Sequence, residues 1–472
     1  MNNSNNKSSI FLITLVATLG GLLFGYDTAV ISGTVSSLKI FFVDPLGLEE
    51  FAANSLVGFT VSSALIGCII GGMSGGILAL KLGRKTSLKI AALLFTLSAI
   101  GSSLPEIGLA PIGEGSHLHL TPFIIYRIIG GIGVGLASML SPMYIAELAP
   151  AEKRGYLVSW NQFAIIFGML IVYFVNYYIS RQGNDEWLNT IGWRYMFASE
   201  TIPALLFFGL LFTVPESPRW LVIAKREDEA ERVLEKIVGK VAAATDVKAI
   251  KNSLSNNQQG KLLSFGVAII VVGILLSVFQ QFVGINVVLY YAPEIFKNMG
   301  ASTDSALLQT IIVGAINLTF TVIAIVSVDR FGRKPLQIIG AIAMGISMFG
   351  LGLTFFFEKV GMGALVFMLT YVAAFAVSWG PVTWVLLSEI FPNSIRGKAM
   401  SIAVAAQWIA NYLVSWTFPM MDKSTWLTEH FHHGFAYWVY GAMGILAAVF
   451  VWKYIPEPKG KSLEEMEEFW QK

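Results

Sequence analysis

The feature that most constrains this chain is a succession of long apolar blocks, each nearly free of charge over the ~20 residues that a helix needs to cross a bilayer core. Residues 91–104, 262–279, 335–357 and 435–452 are examples. Overall, 55% of residues are hydrophobic and 13% charged, with a mean hydropathy of +0.66. A soluble domain carries roughly a quarter charged residues, so this chain has too little polar surface to cover its own bulk in water. It reads as a polytopic all-α membrane protein. A net charge of +2, with no basic run interleaved with aromatics, argues against nucleic acid as a partner. The single cysteine, Cys68, excludes an internal disulfide and reads as an inert buried thiol. The opening MNNSNNKSS and the apolar run from Ile10 to Gly33 mimic a signal peptide, but Asp27 inside that run favours an uncleaved first span.

Twelve spans are expected, at 10–33, 55–80, 88–104, 121–147, 157–180, 195–214, 262–296, 305–328, 335–357, 362–390, 398–421 and 433–455. The loop after span 2 carries Lys81, Arg84, Lys85 and Lys89, that after span 8 Arg330, Arg333 and Lys334, and that after span 10 Arg396 and Lys398. The first loop instead holds Asp44, Glu49 and Glu50. The positive-inside rule then places even-numbered loops and both termini in the cytoplasm. Residues 227–239 have the pattern of an amphipathic helix within a long polar interruption. The expected organisation is a six-helix bundle at 1–214, a cytoplasmic helical linker at 215–261, a second bundle at 262–455 and a tail at 456–472. The two halves repeat each other. GRK at 83–85 recurs at 332–334, Glu147 and Arg154 recur as Glu389 and Arg396, and Pro215-Glu216 recurs as Pro456-Glu457. Such duplication in a transporter puts the binding site at the midplane between repeats.

Polar groups inside spans are costly, so they map function. Away from the span ends, Asp27, Arg127 and Glu200 are the charged residues in the spans of the first half, and helix rise puts them at similar depth, Asp27 ~25 Å from the start of span 1. Arg127 can pair with ionised Asp27 and release it on protonation, which makes a proton site; the alternative is a static packing pair. His117, His119, His430, His432 and His433 all fall in outer loops, so no imidazole serves as a shuttle. Gln280, Gln281, Asn286 and Tyr290 in span 7, Gly380 and Trp384 in span 10, Gln407 and Trp408 in span 11, Asn317 in span 8 and Gln162 in span 5 supply amides and aromatic rings. Those groups suit a neutral polyhydroxylated substrate, although any one amide alone would equally make an interhelical hydrogen bond. Gly284 permits local unwinding between Gln281 and Asn286. The glycine pairs Gly71/Gly75, Gly72/Gly76 and Gly131/Gly135 read as close helix packing.

DRFGRK at 329–334, ELAPAEKRG, SEIFPNSIRG and PESPRWL at 215–221 resemble the signatures of the sugar porters of the major facilitator superfamily, over essentially the whole chain. FGYDTAVISGTV, QQFVGINVVLYYAPEIF and SWGPVTWVLLSEIFPN are similar to its D-xylose–proton symporting members. The resemblance implies two six-helix bundles and proton-coupled import of D-xylose or a related monosaccharide by alternating access, in a bacterial inner membrane, as a monomer without cofactor or metal. It implies that Gln162, Gln280, Gln281, Asn286, Asn317, Trp384, Gln407 and Trp408 touch sugar, with Phe24 and Tyr290 as aromatic lining or gate. It assigns coupling to Asp27, where related facilitators usually have Asn. Xylose symporters have glutamine where this chain has Met169, on one face with Gln162, and hexose carriers tend to be aliphatic there, so a glucose-preferring symporter or a uniporter stands as the alternative. On the cytoplasmic side, Glu147–Arg154 and Glu389–Arg396, with Arg84, Arg333, Glu216 and Arg219, are expected where the halves meet, as ion pairs that hold the outward-facing state; singly, each would be a surface bridge worth ~0–1 kcal/mol. The first GRK copy has Leu80 where the second has Asp329, which suggests a weaker contribution.

Other classes have small footholds. GMSGG at 72–76 fits the serine-hydrolase pattern around Ser74, but no base is expected near span 2. A sugar sensor would carry a longer tail than 456–472. GRK lacks the glycine loop of a nucleotide site, and HFHH at 430–433 is a weak candidate for a metal.

Overall fold

The computed structural model describes residues 2–111, 116–150, 153–255, 262–392, 394–459 and 470. The end of the expected linker, most of the tail and the Asp329 side chain therefore lie outside the described residues. The first half contains α1 (Asn2–Val30), α2 (Glu50–Leu82), α3 (Arg84–Ser103), α4 (Leu120–Leu148), α5 (Arg154–Ser180), α6 (Trp193–Ala198) and α7 (Thr201–Leu210). Three further helices follow: α8 (Pro218–Ile223), α9 (Glu227–Val238) and α10 (Lys240–Ser255). The second half contains α11 (Ala268–Phe282), α12 (Ile285–Asn298), α13 (Thr303–Phe331), α14 (Arg333–Phe356), α15 (Met362–Val377), α16 (Trp379–Ile390), α17 (Arg396–Asp422), α18 (Thr425–Phe431) and α19 (Phe435–Tyr454).

Among the described residues, ten helical segments are long and apolar enough to cross a membrane. The other two expected spans are helical as well. The sixth is interrupted at Ser199 and Glu200, between α6 and α7, and the eleventh, α17, is made polar by Gln407, Asn411, Ser415 and Asp422. Two more spans are broken. Gly284, at φ +92°, separates α11 from α12, and Ser378 separates α15 from α16. The sequence anticipates the first break and not the second, because serine is no helix breaker in itself.

Within the first half α2 and α3 pack on α4, and α1 packs on α5; in the second, α14 packs on α15 and α19, and α11 on α17. The α2–α4 approach is close enough for backbone contact. A Cβ on Gly131 would lie 1.7 Å from the Ala64 oxygen, and one on Gly67 2.0 Å from that of Ile128, so only glycine fits. Gly71 and Gly135 share this contact, while Gly72 and Gly76 meet only side-chain atoms at 3.4 Å or more. Between α7 and α11 the linker helices make their own small core of Leu221, Val222, Ala230, Leu234, Ala243 and Val247. Arg226 forks onto Glu229 there at 2.7 and 2.6 Å, and this hydrogen bonding holds the exposed Glu229 carboxyl below its ordinary value.

The halves meet along α2 against α17 and α5 against α13. Among the described residues, the hydrogen bonds joining them lie on the face opposite the two GRK turns. Trp416 donates to the Ser55 backbone oxygen (3.1 Å), Asn54 to that of Lys423 (3.3 Å), Tyr173 to that of Leu289 (3.0 Å), and Thr425 N to Glu50 (2.6 Å). The structure is thus closed on the far face.

Candidate functional site

The three helix breaks carry or border many of the polar groups of interest. At Gly284 the chain turns through a left-handed residue, leaving the end of α11 and the start of α12 facing one space. Gln280 and Gln281 are 3% and 6% exposed. Gln280 donates to the Trp379 carbonyl at 2.9 Å, in the first turn after the break at Ser378. Gln281 donates to Gln280 (3.3 Å) and accepts from Asn286 (2.5 Å), so the three amides form one chain despite the divergence expected on a straight helix. Gly380 also accepts from Gln280, at 3.4 Å. From α17 come buried Gln407, whose Oε1 has no partner, and Trp408, whose indole N–H has none. Trp408 meets Phe24 of α1 at 5.8 Å between ring centroids, an aromatic contact across the two halves. Asn317 and Tyr290 are buried, and Gln162, Asn286 and Trp384 half-buried. Met169 is buried on α5, its backbone against the space beside Gly25.

Asn411 and Ser415 escaped the sequence reading. Both are buried, and the Ser415 hydroxyl donates to Asn411 Oδ1 at 3.1 Å. Their signal was there: Gln407, Asn411 and Ser415 recur every four residues and share one face of α17.

The charged cluster lies in the first half. Arg127 Nη1 donates to Asp27 Oδ1 at 2.7 Å and Nη2 to the Asp27 backbone oxygen at 3.1 Å, with the two side chains 1% and 0% exposed. The guanidinium also stacks over Phe197, 5.3 Å from the ring centroid. Glu200, at the α6–α7 break, is 1% exposed and lies against Asp27. Two carboxyls thus lie together in the interior, one of them paired with the guanidinium. A second buried pair, Arg194–Glu106 at 3.0 Å, lies toward the far face and was not anticipated, because Arg194 falls one residue outside the expected span.

The GRK face is built twice. Gly83, at φ +90°, ends α2 and starts α3, where Arg84 forks onto Glu147 at 2.8 and 2.7 Å. Glu216 accepts from the N–H groups of Arg84 (3.0 Å) and Lys85 (3.1 Å), a carboxylate at a helix N-terminus, where the dipole favours it. In the second copy Arg333 forks onto Glu389 at 3.1 and 3.0 Å, and Glu457 accepts from the N–H groups of Arg333 (3.1 Å) and Lys334 (2.8 Å). The sequence-adjacent partners are placed differently: Arg154 donates to the Ala146 carbonyl (2.9 Å) and Arg396 to that of Phe391 (3.2 Å). Glu147 and Glu389 therefore pair with Arg84 and Arg333, within each half, rather than with Arg154 and Arg396. The short loops hold the latter side chains back on the helix ends they follow. Arg219 is half-buried on α8. In the loops on the far face, His432 contacts Glu358 at 2.7 Å and His433 the Asp422 backbone oxygen at 2.9 Å.

A family model described as sugar (and other) transporter matches residues 13–470. The chain belongs to this family. It is 66% identical to the D-xylose-proton symporter of Escherichia coli (strain K12), covering 100% of this chain and 98% of that protein. It is 41% identical to the glucose facilitated diffusion protein of Zymomonas mobilis, with 100% and 99% covered. Among solved structures, the inward-open conformation of the E. coli xylose transporter XylE superposes with a TM-score of 0.90 at 64% identity, covering 98% of this chain and all of that one. XylE bound to 6-bromo-6-deoxy-D-glucose gives 0.85 at 66% identity, with 98% and 100% covered. The chain is a multi-pass bacterial membrane transporter and not an enzyme.

Proposed function

We propose that this protein imports D-xylose with protons by alternating access. The observation that carries the reading is the buried Asp27–Arg127 ion pair beside an amide-lined space between two duplicated halves. With Asp27 ionised the pair is satisfied; protonation removes one charge and releases Arg127, so proton occupancy has a structural consequence in the bundle that moves. Glu200 adds a second carboxyl, and one proton makes the group of three neutral.

Sugar is held by the Gln280–Gln281–Asn286 chain with Gln162, Asn317, Trp384, Gly380 and Gln407, and by the rings of Phe24, Tyr290 and Trp408. The moving bodies are residues 1–214 and 262–455, joined by 215–261, with the GRK face and both termini in the cytoplasm of a bacterial inner membrane. The protein works as a monomer. The Arg84–Glu147–Glu216 and Arg333–Glu389–Glu457 sets tie helix ends inside each half, so that each half rocks as one body; Arg154, Arg219 and Arg396 border the same opening. The identity to D-xylose-proton symporters supports this reading, and the far-face closure agrees with an inward-facing state.

Uptake of radiolabelled D-xylose and D-glucose into proteoliposomes, with and without an inward proton gradient, tests it. Xylose accumulates only with the gradient, and Asp27→Asn loses accumulation while keeping exchange. Gradient-independent uptake would make the protein a uniporter. Met169, apolar beside the site, supports a second reading, a preference for hexose, which glucose accumulating in place of xylose would establish.

A further inference from the structure

We infer that Ser98 and Gly130 frame a buried water site through which the proton reaches Asp27, inside the first bundle rather than through the sugar space. The inference rests on the proton-coupled reading above and deepens it. Ser98 and Ser102 lie one turn apart on α3, 1% and 0% exposed, and neither hydroxyl has a partner. Helical serines and threonines ordinarily bond back to a carbonyl one turn earlier. On this same helix Ser87, Thr96 and Ser103 do so, at 2.7, 2.9 and 2.8 Å. The Ser98 and Ser102 hydroxyls forgo that bond and remain polar groups in a dry interior.

What faces Ser98 is the coupling pair. A Cβ on Gly130 would lie 2.3 Å from Ser98 Oγ and 3.2 Å from Asp27 Oδ1. The missing side chain on α4 is thus what lets the Ser98 hydroxyl pack against Gly130, on the side where Asp27 Oδ1 lies. Arg127, one turn before Gly130, uses both terminal nitrogens on Asp27 but leaves its Nε unpaired, and no N–H or hydroxyl of the described residues reaches Asp27 Oδ2 or the Glu200 carboxyl that lies against it. Donors and acceptors converging without partners are what a buried water needs, since it requires two to four of them. Ser102 continues the line toward the far face, where the adjacent Ser103 carbonyl receives Arg194 at 3.0 Å and Arg194 pairs with Glu106.

The step is a proton transfer. An O–H bond of the bridging water breaks as one forms on Asp27, and the water regains a proton from the next water beside Ser102. Only Asp27 changes its net protonation. Ser98 is a positioning residue: its hydroxyl donates to or accepts from the water and keeps its own proton count.

Ser98→Ala and Ser98→Thr in proteoliposomes test this, with counterflow and driven uptake measured in H2O and D2O. In Ser98→Ala, driven xylose uptake falls about tenfold while xylose counterflow, which needs no net proton movement, stays at the wild-type rate. Ser98→Thr restores driven uptake and the wild-type solvent isotope effect. Unchanged driven uptake in Ser98→Ala overturns the inference, as does an equal loss of driven uptake and counterflow that Ser98→Thr fails to rescue. If the wild type itself ignores the proton gradient, the proton-coupled reading fails first, and that outcome is distinct because it needs no variant.

Discussion

The indole N–H of Trp416 donates to the backbone oxygen of Ser55 at 3.1 Å and so joins α17 to α2 across the face opposite the GRK turns, the outer face in the proposed orientation. Beside it a Cβ on Gly58 would lie 2.1 Å from the Trp416 carbonyl, too close for any side chain. Gly58→Leu therefore prevents outer closure without touching the amides. Xylose binding to the purified variant stays within about twofold of wild type, while uptake falls to roughly a tenth or less, the loss expected when a state that transport requires is disfavoured by more than ~1.4 kcal/mol. Labelling of a cysteine introduced near Asn54 from outside rises in parallel. A variant that still transports would show that this junction is not the outer gate.

Gly284→Ala attacks the break in span 7. The residue sits at φ +92°, and its Cβ would meet the Tyr440 ring at 2.7 Å. Backbone strain and the ring contact together lower thermal stability in detergent, the strain alone costing on the order of 1 kcal/mol. Xylose affinity falls as well, because Gln281 and Asn286 lose their common orientation. A thermal shift assay with and without xylose reads both.

Gln280→Ala removes the amide that reaches the Trp379 carbonyl and that Gln281 leans on. The cost in binding is about 1.5–3 kcal/mol, or roughly ten- to a hundredfold in Kd by calorimetry, if sugar and Gln281 both lose a partner. An unaltered Kd would move the sugar elsewhere.

Met169→Gln adds one polar group on the face of α5 that carries Gln162. The ratio of xylose to glucose uptake rises, by about tenfold or less for one hydrogen bond. A fall in the ratio would place the specificity determinant on the second half instead.

Arg84→Ala leaves Glu147 without its fork, while the backbone N–H that Glu216 accepts from stays in place. The expected loss is one of stability and of conformational coupling, with xylose affinity retained. Fluorescence-detected unfolding against equilibrium binding separates the two.

Most of the fold was legible because apolar length is a strong signal: all but two expected spans appear as helices that meet it directly. The breaks were harder. Gly284 announces itself, whereas Ser378 and the Ser199–Glu200 step are interruptions set by packing, and no residue type marks them. The Asp27–Arg127 contact was legible from depth alone, since helix rise is fixed. The partners of Glu147 and Glu389 were not, because seven residues along a chain rounding a helix end say little about distance in space. Asn411 was visible in the four-residue recurrence on α17 and was overlooked among stronger amides.

Glu216 and Glu457 each cap a helix from a position that follows the sixth helical span of their own half. The ancestral module that was duplicated was therefore longer than six helices and carried its closing carboxylate with it. In each half the first turn of the helix that opens at GRK is completed only after the chain has emerged from its last span. A version expressed as two separate fragments has to be cut beyond α8, since a cut before Pro215 would hand the first module's keystone to the second.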